Sequence, residues 1–108
     1  VGKLAQVVQA SNAGPGGGAP RVMLVAPVPV EETGILAEMF QGGRARSRAI
    51  APALRDEADR LGCAFFDAGR VAEVDGLDGV HMGVAAQQAL GLAMAEAVRS
   101  MLQEGTPC

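Results

Sequence analysis

The single histidine of these 108 residues, His81, stands three positions after an aspartate in the run Asp75-Gly76-Leu77-Asp78-Gly79-Val80-His81. An aspartate at that distance on a tight loop can lay its carboxylate against the imidazole. Such a contact orients the ring, fixes which nitrogen carries the proton, and stabilises the imidazolium that forms when the ring takes a proton from a hydroxyl nucleophile. The chemistry this pair suits is general acid–base catalysis of acyl transfer. Gly79 lets the loop fold back without a side-chain clash. A blander reading competes with it, because a lone histidine beside acidic residues is often a surface residue or a helix-start contact, and short motifs match by chance. A metal centre fits less well: one histidine and scattered carboxylates do not make a zinc set, and neither Cys63 nor Cys108 is spaced for one.

The elements that must position this pair follow from periodicity. Leu4, Val7 and Val8 have helical spacing, so residues 1–11 read as the end of a helix. A Gly/Pro loop occupies 11–20. Because it follows a helix and precedes a strand, it is a connection and not a phosphate loop, which needs the reverse order. Residues 21–26 (Arg-Val-Met-Leu-Val-Ala) form a continuous apolar run, the pattern of a parallel strand covered on both faces. A long connection, 27–43, carries a short helical stretch near Ile35 to Phe40, and connections of that length are usually functional or interfacial. A helix over 45–61 puts Ile50, Leu54, Ala58 and Leu61 on one face and stops at Gly62. Pro52 inside it marks either the true helix start or a kink. A second short strand spans 63–66, a loop holds Asp67 to Val80, and a last helix from about Val84 to Leu102 repeats Leu90, Met94, Ala97, Val98 and Met101. Helix, strand, helix, strand, helix implies an α/β fold with a parallel sheet between helical layers, and the 75–81 loop then lies at the C-terminal strand edge where ligand chemistry collects. Two strands make a poor sheet by themselves, so further strands should come from elsewhere.

Composition narrows the partners. The net charge is −3, and the cluster of Arg44, Arg46 and Arg48 is followed by acidic residues, so a nucleic-acid partner is not expected. The longest apolar stretch, Val22 to Val30, is broken by two prolines and too short to span a membrane. Cys63 sits in an apolar run as a small hydrophobe and Cys108 is terminal, which is no disulfide framework; a reducing, cytoplasmic setting fits. With three Phe and no Trp or Tyr, the core must be built of small side chains and is expected to be marginal. The start at Val1, without Met and inside a helix, suggests a processed product or part of a longer gene.

Asp78-Gly79-Val80-His81 and the Ala-rich helix after it resemble the final Asp-x-x-His block of the SGNH/GDSL-type serine hydrolase family. Val22 to Pro29, Phe40-Gln-Gly-Gly43 and Phe65-Phe66-Asp67-Ala68-Gly69 resemble its arylesterase and acyltransferase branch in the same order. The resemblance implies a three-layer α/β/α, flavodoxin-like fold, of which residues 1–108 would be the C-terminal half of one domain. It implies a serine ester hydrolase or acyltransferase acting on small carboxylic esters without a cofactor, with Asp78 and His81 catalytic. Val80, beside the histidine, would wall the substrate pocket, and Phe40 would line an acyl pocket or an oligomer contact. The family's nucleophile lies in an N-terminal Gly-Asp-Ser block. This chain has no such block, since Ser11, Ser47 and Ser100 lack its context, and Asn12 lacks that of the family's oxyanion asparagine. The serine and most of the oxyanion hole would therefore come from an N-terminal fragment or chain. The long 27–43 connection also suits a homo-oligomer. The rival expectation is a non-catalytic α/β assembly or regulatory module, in which the surface around His81 would be closed.

Overall fold

A computed structural model describes residues 1–103; Cys108, read above as terminal, lies outside them. Helix α1 (Gly2–Gln9) leads through the glycine-rich connection to strand β1 (Met23–Ala26). The long connection follows, then α2 (Gly43–Arg48), α3 (Ile50–Leu61), β2 (Ala64–Asp67) and the 20-residue α4 (Val84–Gln103). β1 and β2 pair in parallel, Met23 opposite Ala64 and Ala26 opposite Asp67. This is the expected α/β arrangement with a parallel sheet.

The helix expected over 45–61 is two helices, and Pro52 explains the break. In a continuous helix its ring would collide with the carbonyl of residue 48, so the first helix ends at Arg48 and a second begins at Ile50. Pro52 then occupies the third position of α3, where a missing N–H costs no helical hydrogen bond. The stretch expected near Ile35 to Phe40 is only a 3-10 turn, Gly34–Leu36, followed by further turns.

The core is small, as the composition requires. Ala5, Leu24, Ala58 and Cys63 are buried, with Val22, Leu54, Leu61 and Phe65 packed around them. The Arg55 guanidinium covers the Phe65 ring, 4.9 Å from its centroid. Gln9 reaches across to donate to the Leu61 carbonyl (2.9 Å) and the Cys63 sulfur (3.3 Å), tying α1 to the end of α3.

Burial is uneven, and it corrects the expected cover of β1. β1 is not covered on both faces: Leu24 and Ala26 are buried, but Val25 on the other face is exposed. The Leu4, Val7 and Val8 face of α1 does not pack on this chain; Leu4 is 72 % exposed, and Ala5 makes the buried contact instead. In α4, Leu90, Met94, Ala97 and Met101 are only half-buried, Val98 is exposed, and no residue of the helix is buried. The common cause is a sheet too narrow to back these faces. The chain exposes 6943 Å², against about 5600 Å² for a compact monomer of 11.0 kDa. Its radius of gyration is 15.9 Å, against about 13 Å for a compact chain of this length.

Candidate active site

Both connections that leave the C-terminal ends of the two strands run to the same place. The loop after β2 carries Asp75 to His81, and its geometry is set locally. Asp75 bends the chain first, its Oδ1 accepting from the Leu77 N–H at 2.9 Å. Asp78 does the same one step on: its Oδ1 accepts from the N–H groups of Val80 (2.8 Å) and His81 (2.9 Å). Short acidic side chains that bond the backbone two and three residues ahead are a common way to make a turn without a helix. The main chain closes the loop at its base, with the Asp75 N–H on the His81 carbonyl (2.7 Å) and the Gly79 N–H on the Asp75 carbonyl (2.8 Å).

The second oxygen of Asp78 is thereby left for the ring. Asp78 Oδ2 lies 2.6 Å from His81 Nδ1, within charge-assisted hydrogen-bond range. The Asp78 carboxyl is lowered from 3.8 to about 2. The main causes are the His81 and then the Val80 backbone N–H groups, with the His81 ring adding to them. A carboxylate so held stays ionised and keeps Nδ1 as the protonated nitrogen, which leaves Nε2 to accept a proton. The Asp78 side chain is 17 % exposed and that of His81 77 %, so the ring is anchored at its base and open at its tip.

The loop after β1 holds this turn from outside. The Glu31 N–H donates to the Gly79 carbonyl (2.7 Å) and the Ile35 N–H to the Leu77 carbonyl (2.9 Å). The approach is close enough to demand glycine at two positions. A Cβ on Gly79 (φ 73°) would lie 2.1 Å from the Glu31 carbonyl oxygen, and one on Gly34 (φ 72°) would lie 2.0 Å from that of Leu77. The sequence marked Gly79 but gave no sign that Glu31, Gly34 or Ile35 meets this turn.

The other singled-out residues fall as follows. Val80 is half-buried beside His81, with its N–H on Asp78. Phe40 is half-buried in the turn ahead of α2, its carbonyl accepting from the Gly43 N–H at 2.8 Å. It borders neither cleft that flanks the loop after β2. Asp67 accepts from the Gly69 N–H (3.0 Å), a contact that shapes the loop backbone. Ser47 lies in α2 and Ser100 in α4, and the Ser11 hydroxyl donates to the Val8 carbonyl (2.7 Å). None of the three approaches His81 by a hydrogen bond. Among the described residues no cluster of three metal-binding side chains occurs, and no helix is long and apolar enough to cross a membrane.

Comparison with solved structures decides the family. A carbohydrate acetylesterase family member from Sinorhizobium meliloti superposes with a TM-score of 0.82 at 36% identity, over 94% of this chain and 49% of that one. The chain belongs to the SGNH-type hydrolases. A second carbohydrate acetylesterase structure from the same organism gives a TM-score of 0.81 at 32% identity, over 93% of this chain and 48% of its own. The aryl esterase of M. smegmatis gives 0.78 at 36%, over 90% and 47%. This SGNH chain thus spans about half the length of the structures it matches, on their C-terminal side. No protein-family model matches it, and none of the curated proteins does.

Proposed function

We propose that this chain is the Asp–His half of a serine ester hydrolase or acyltransferase whose nucleophile and oxyanion hole come from an N-terminal complement. The observation that carries the reading is the 2.6 Å contact of Asp78 Oδ2 with Nδ1 of a ring whose outer side is exposed. In the reaction, His81 Nε2 takes the proton of the complement's serine hydroxyl as its oxygen attacks the ester carbonyl. The imidazolium, steadied by the Asp78 carboxylate, then returns that proton to the departing alcohol, leaving a seryl ester. Water or a second alcohol repeats the cycle in reverse and frees the acid or a new ester. Amide donors on the complement stabilise the tetrahedral oxyanion. No cofactor takes part.

The excess exposed surface and the unbacked faces of α1, β1 and α4 support a complement that completes the sheet as one domain. The acetylesterase relatives favour a small acyl group such as acetyl. Val80, adjacent to the histidine, would wall the acyl site, and Phe40 would reach substrate only across the loop that complement covers. The exposed Ile35, Met39 and Leu77 side chains give self-association an apolar surface, and the buried Cys63 thiol suits the cytoplasm. The rival, non-catalytic module required a closed surface around His81, and the open ring argues against it.

The test is turnover of a nitrophenyl acetate by the complete enzyme and by its His81→Ala variant. Activity should fall by about six orders of magnitude while a fluorophosphonate probe locates the serine on the complement. A variant that hydrolyses the ester at the wild-type rate removes His81 from the mechanism.

A further inference from the structure

The arginine cluster that the sequence set aside as a nucleic-acid patch has a use in the fold. Helix α2, Gly-Arg-Ala-Arg-Ser-Arg, is six residues long and buries none of them. A helix that short, without an apolar face, is not held by its own hydrogen bonds. Its polar side chains converge instead on one segment of the loop after β1. Arg44 Nε lies 3.0 Å from Glu31 Oε2, and Arg48 Nη2 lies 3.0 Å from Glu31 Oε1. The Ser47 hydroxyl accepts the Val30 N–H at 3.0 Å and donates to the Arg44 carbonyl within its own helix. Just ahead of the helix, the Gly42 N–H donates to Glu32 Oε1 at 2.9 Å. The contacts that leave the helix region land on three consecutive residues, Val30 to Glu32, and the middle one, Glu31, is the residue whose N–H holds the Gly79 carbonyl of the histidine loop.

We infer that Glu31 is a positioning residue for His81, with Arg44 and Arg48 as its latch. The inference rests on the esterase reading above. Two guanidinium groups grip the two carboxylate oxygens separately, so the side chain cannot rotate without losing one of them. The Ser47 bond fixes the preceding peptide. With both neighbours of the Glu31 peptide held, its N–H stays aimed at Gly79 and the turn carrying His81 cannot tilt. Each ion pair is half-exposed and weak alone. Their combined effect is on where the ring sits more than on whether the chain folds, and small displacements of a catalytic base are felt strongly in rate. Arg46, in the same helix, makes no ion pair among the described residues and serves as the internal comparison.

The experiment uses the complete enzyme, with active serines counted by fluorophosphonate titration so that every rate is per competent site. Glu31→Gln keeps the shape and removes the charge. It should lower kcat about threefold to tenfold and leave KM within about twofold. Raising ionic strength from about 0.02 M to about 0.5 M should lower the wild-type kcat and leave that of Glu31→Gln flat, because screening acts on a latch the variant no longer has. The Arg44→Gln/Arg48→Gln pair should reproduce Glu31→Gln, with no further loss when all three are combined, whereas Arg46→Gln should match wild type. A per-site kcat for Glu31→Gln equal to wild type with the same salt dependence, or an equal loss in Arg46→Gln, overturns the latch while His81→Ala remains inactive. If His81→Ala is active, the esterase reading itself fails and takes this inference with it.

Discussion

Gly79→Ala is the sharpest perturbation of the histidine loop, because it adds one methyl group at a point where two loops touch. The backbone there has φ 73°, and a Cβ would lie 2.1 Å from the Glu31 carbonyl oxygen and 3.0 Å from that of Thr33. The left-handed conformation costs an alanine about 1–2 kcal/mol. Forcing a methyl into occupied space adds about 1–3 kcal/mol. If the chain holds its geometry, the complete enzyme should lose about 2–5 kcal/mol of stability in urea. If the loop slides to relieve the clash, the Glu31–Gly79 hydrogen bond breaks and His81 moves with it; a shift of about 1 Å at a catalytic group costs about 10²-fold in rate. Urea midpoints together with nitrophenyl acetate turnover cover both routes. Gly76→Ala, three residues earlier in the same loop, is the comparison. A Cβ there meets nothing within 4 Å, so stability should stay within about 0.5 kcal/mol of wild type. Should Gly79→Ala match Gly76→Ala in both midpoint and kcat, the clamp between the loops does not hold the site.

Asp78→Asn should leave the loop nearly in place yet lower kcat about 10⁴-fold, since an amide that donates to Nδ1 selects the wrong tautomer; single-turnover kinetics would show the loss in acylation. The Asp78 carboxyl sits at about 2 in the folded chain against an ordinary 3.8. Because the folded value is the lower one, its bracing of the turn is at full strength above about pH 4 and is lost as pH falls through about 2. NMR titration of the Val80 and His81 amide protons should accordingly show a midpoint near the lower value. Ala58 is completely buried in the small core, and Ala58→Leu should cost about 1–3 kcal/mol by overpacking in denaturant unfolding. Gly91 lies within α4 with open space at its Cβ position, so Gly91→Ala should raise stability by about 0.5–1 kcal/mol.

What could be read in the sequence was what acts over short separations. Asp78 and His81 are three residues apart, so type and spacing alone carried their contact. The apolar run before Pro27 carried β1 to within two residues and the Gly62 stop carried the C-terminal end of α3, while β2 came one residue late. The clamp could not be read, because Glu31 and Gly79 are joined by main-chain groups that every residue possesses; nothing in the side chain of either announces the bond. The split of the 45–61 helix was latent in Pro52 but needed the position of the Arg48 carbonyl to be resolved. Burial within the chain could not be read either: apolar spacing says which face of α1, β1 or α4 seeks cover, not whether the covering element is on the same chain.

That last point bears on how the proposed triad is assembled. Among the described residues, the bonds that shape the Asp78–His81 turn come from within residues 75–81 or from the loop after β1 that clamps it, so the chain holds this Asp–His pair with its own residues. The surface left over, about 1300 Å² beyond that of a compact monomer, is what an obligate partner would cover, since permanent interfaces bury about 2000 Å² or more over both sides. On the proposed reading, then, the pair is rigid and preformed while its distance to the serine depends wholly on docking of the two halves along the sheet. Substitutions that loosen the docking face, such as Leu4→Asp on α1, should raise the concentration of complement needed for activity and leave the rate at saturation unchanged. Substitutions in the clamp should do the reverse, and the contrast separates assembly from catalysis in one titration.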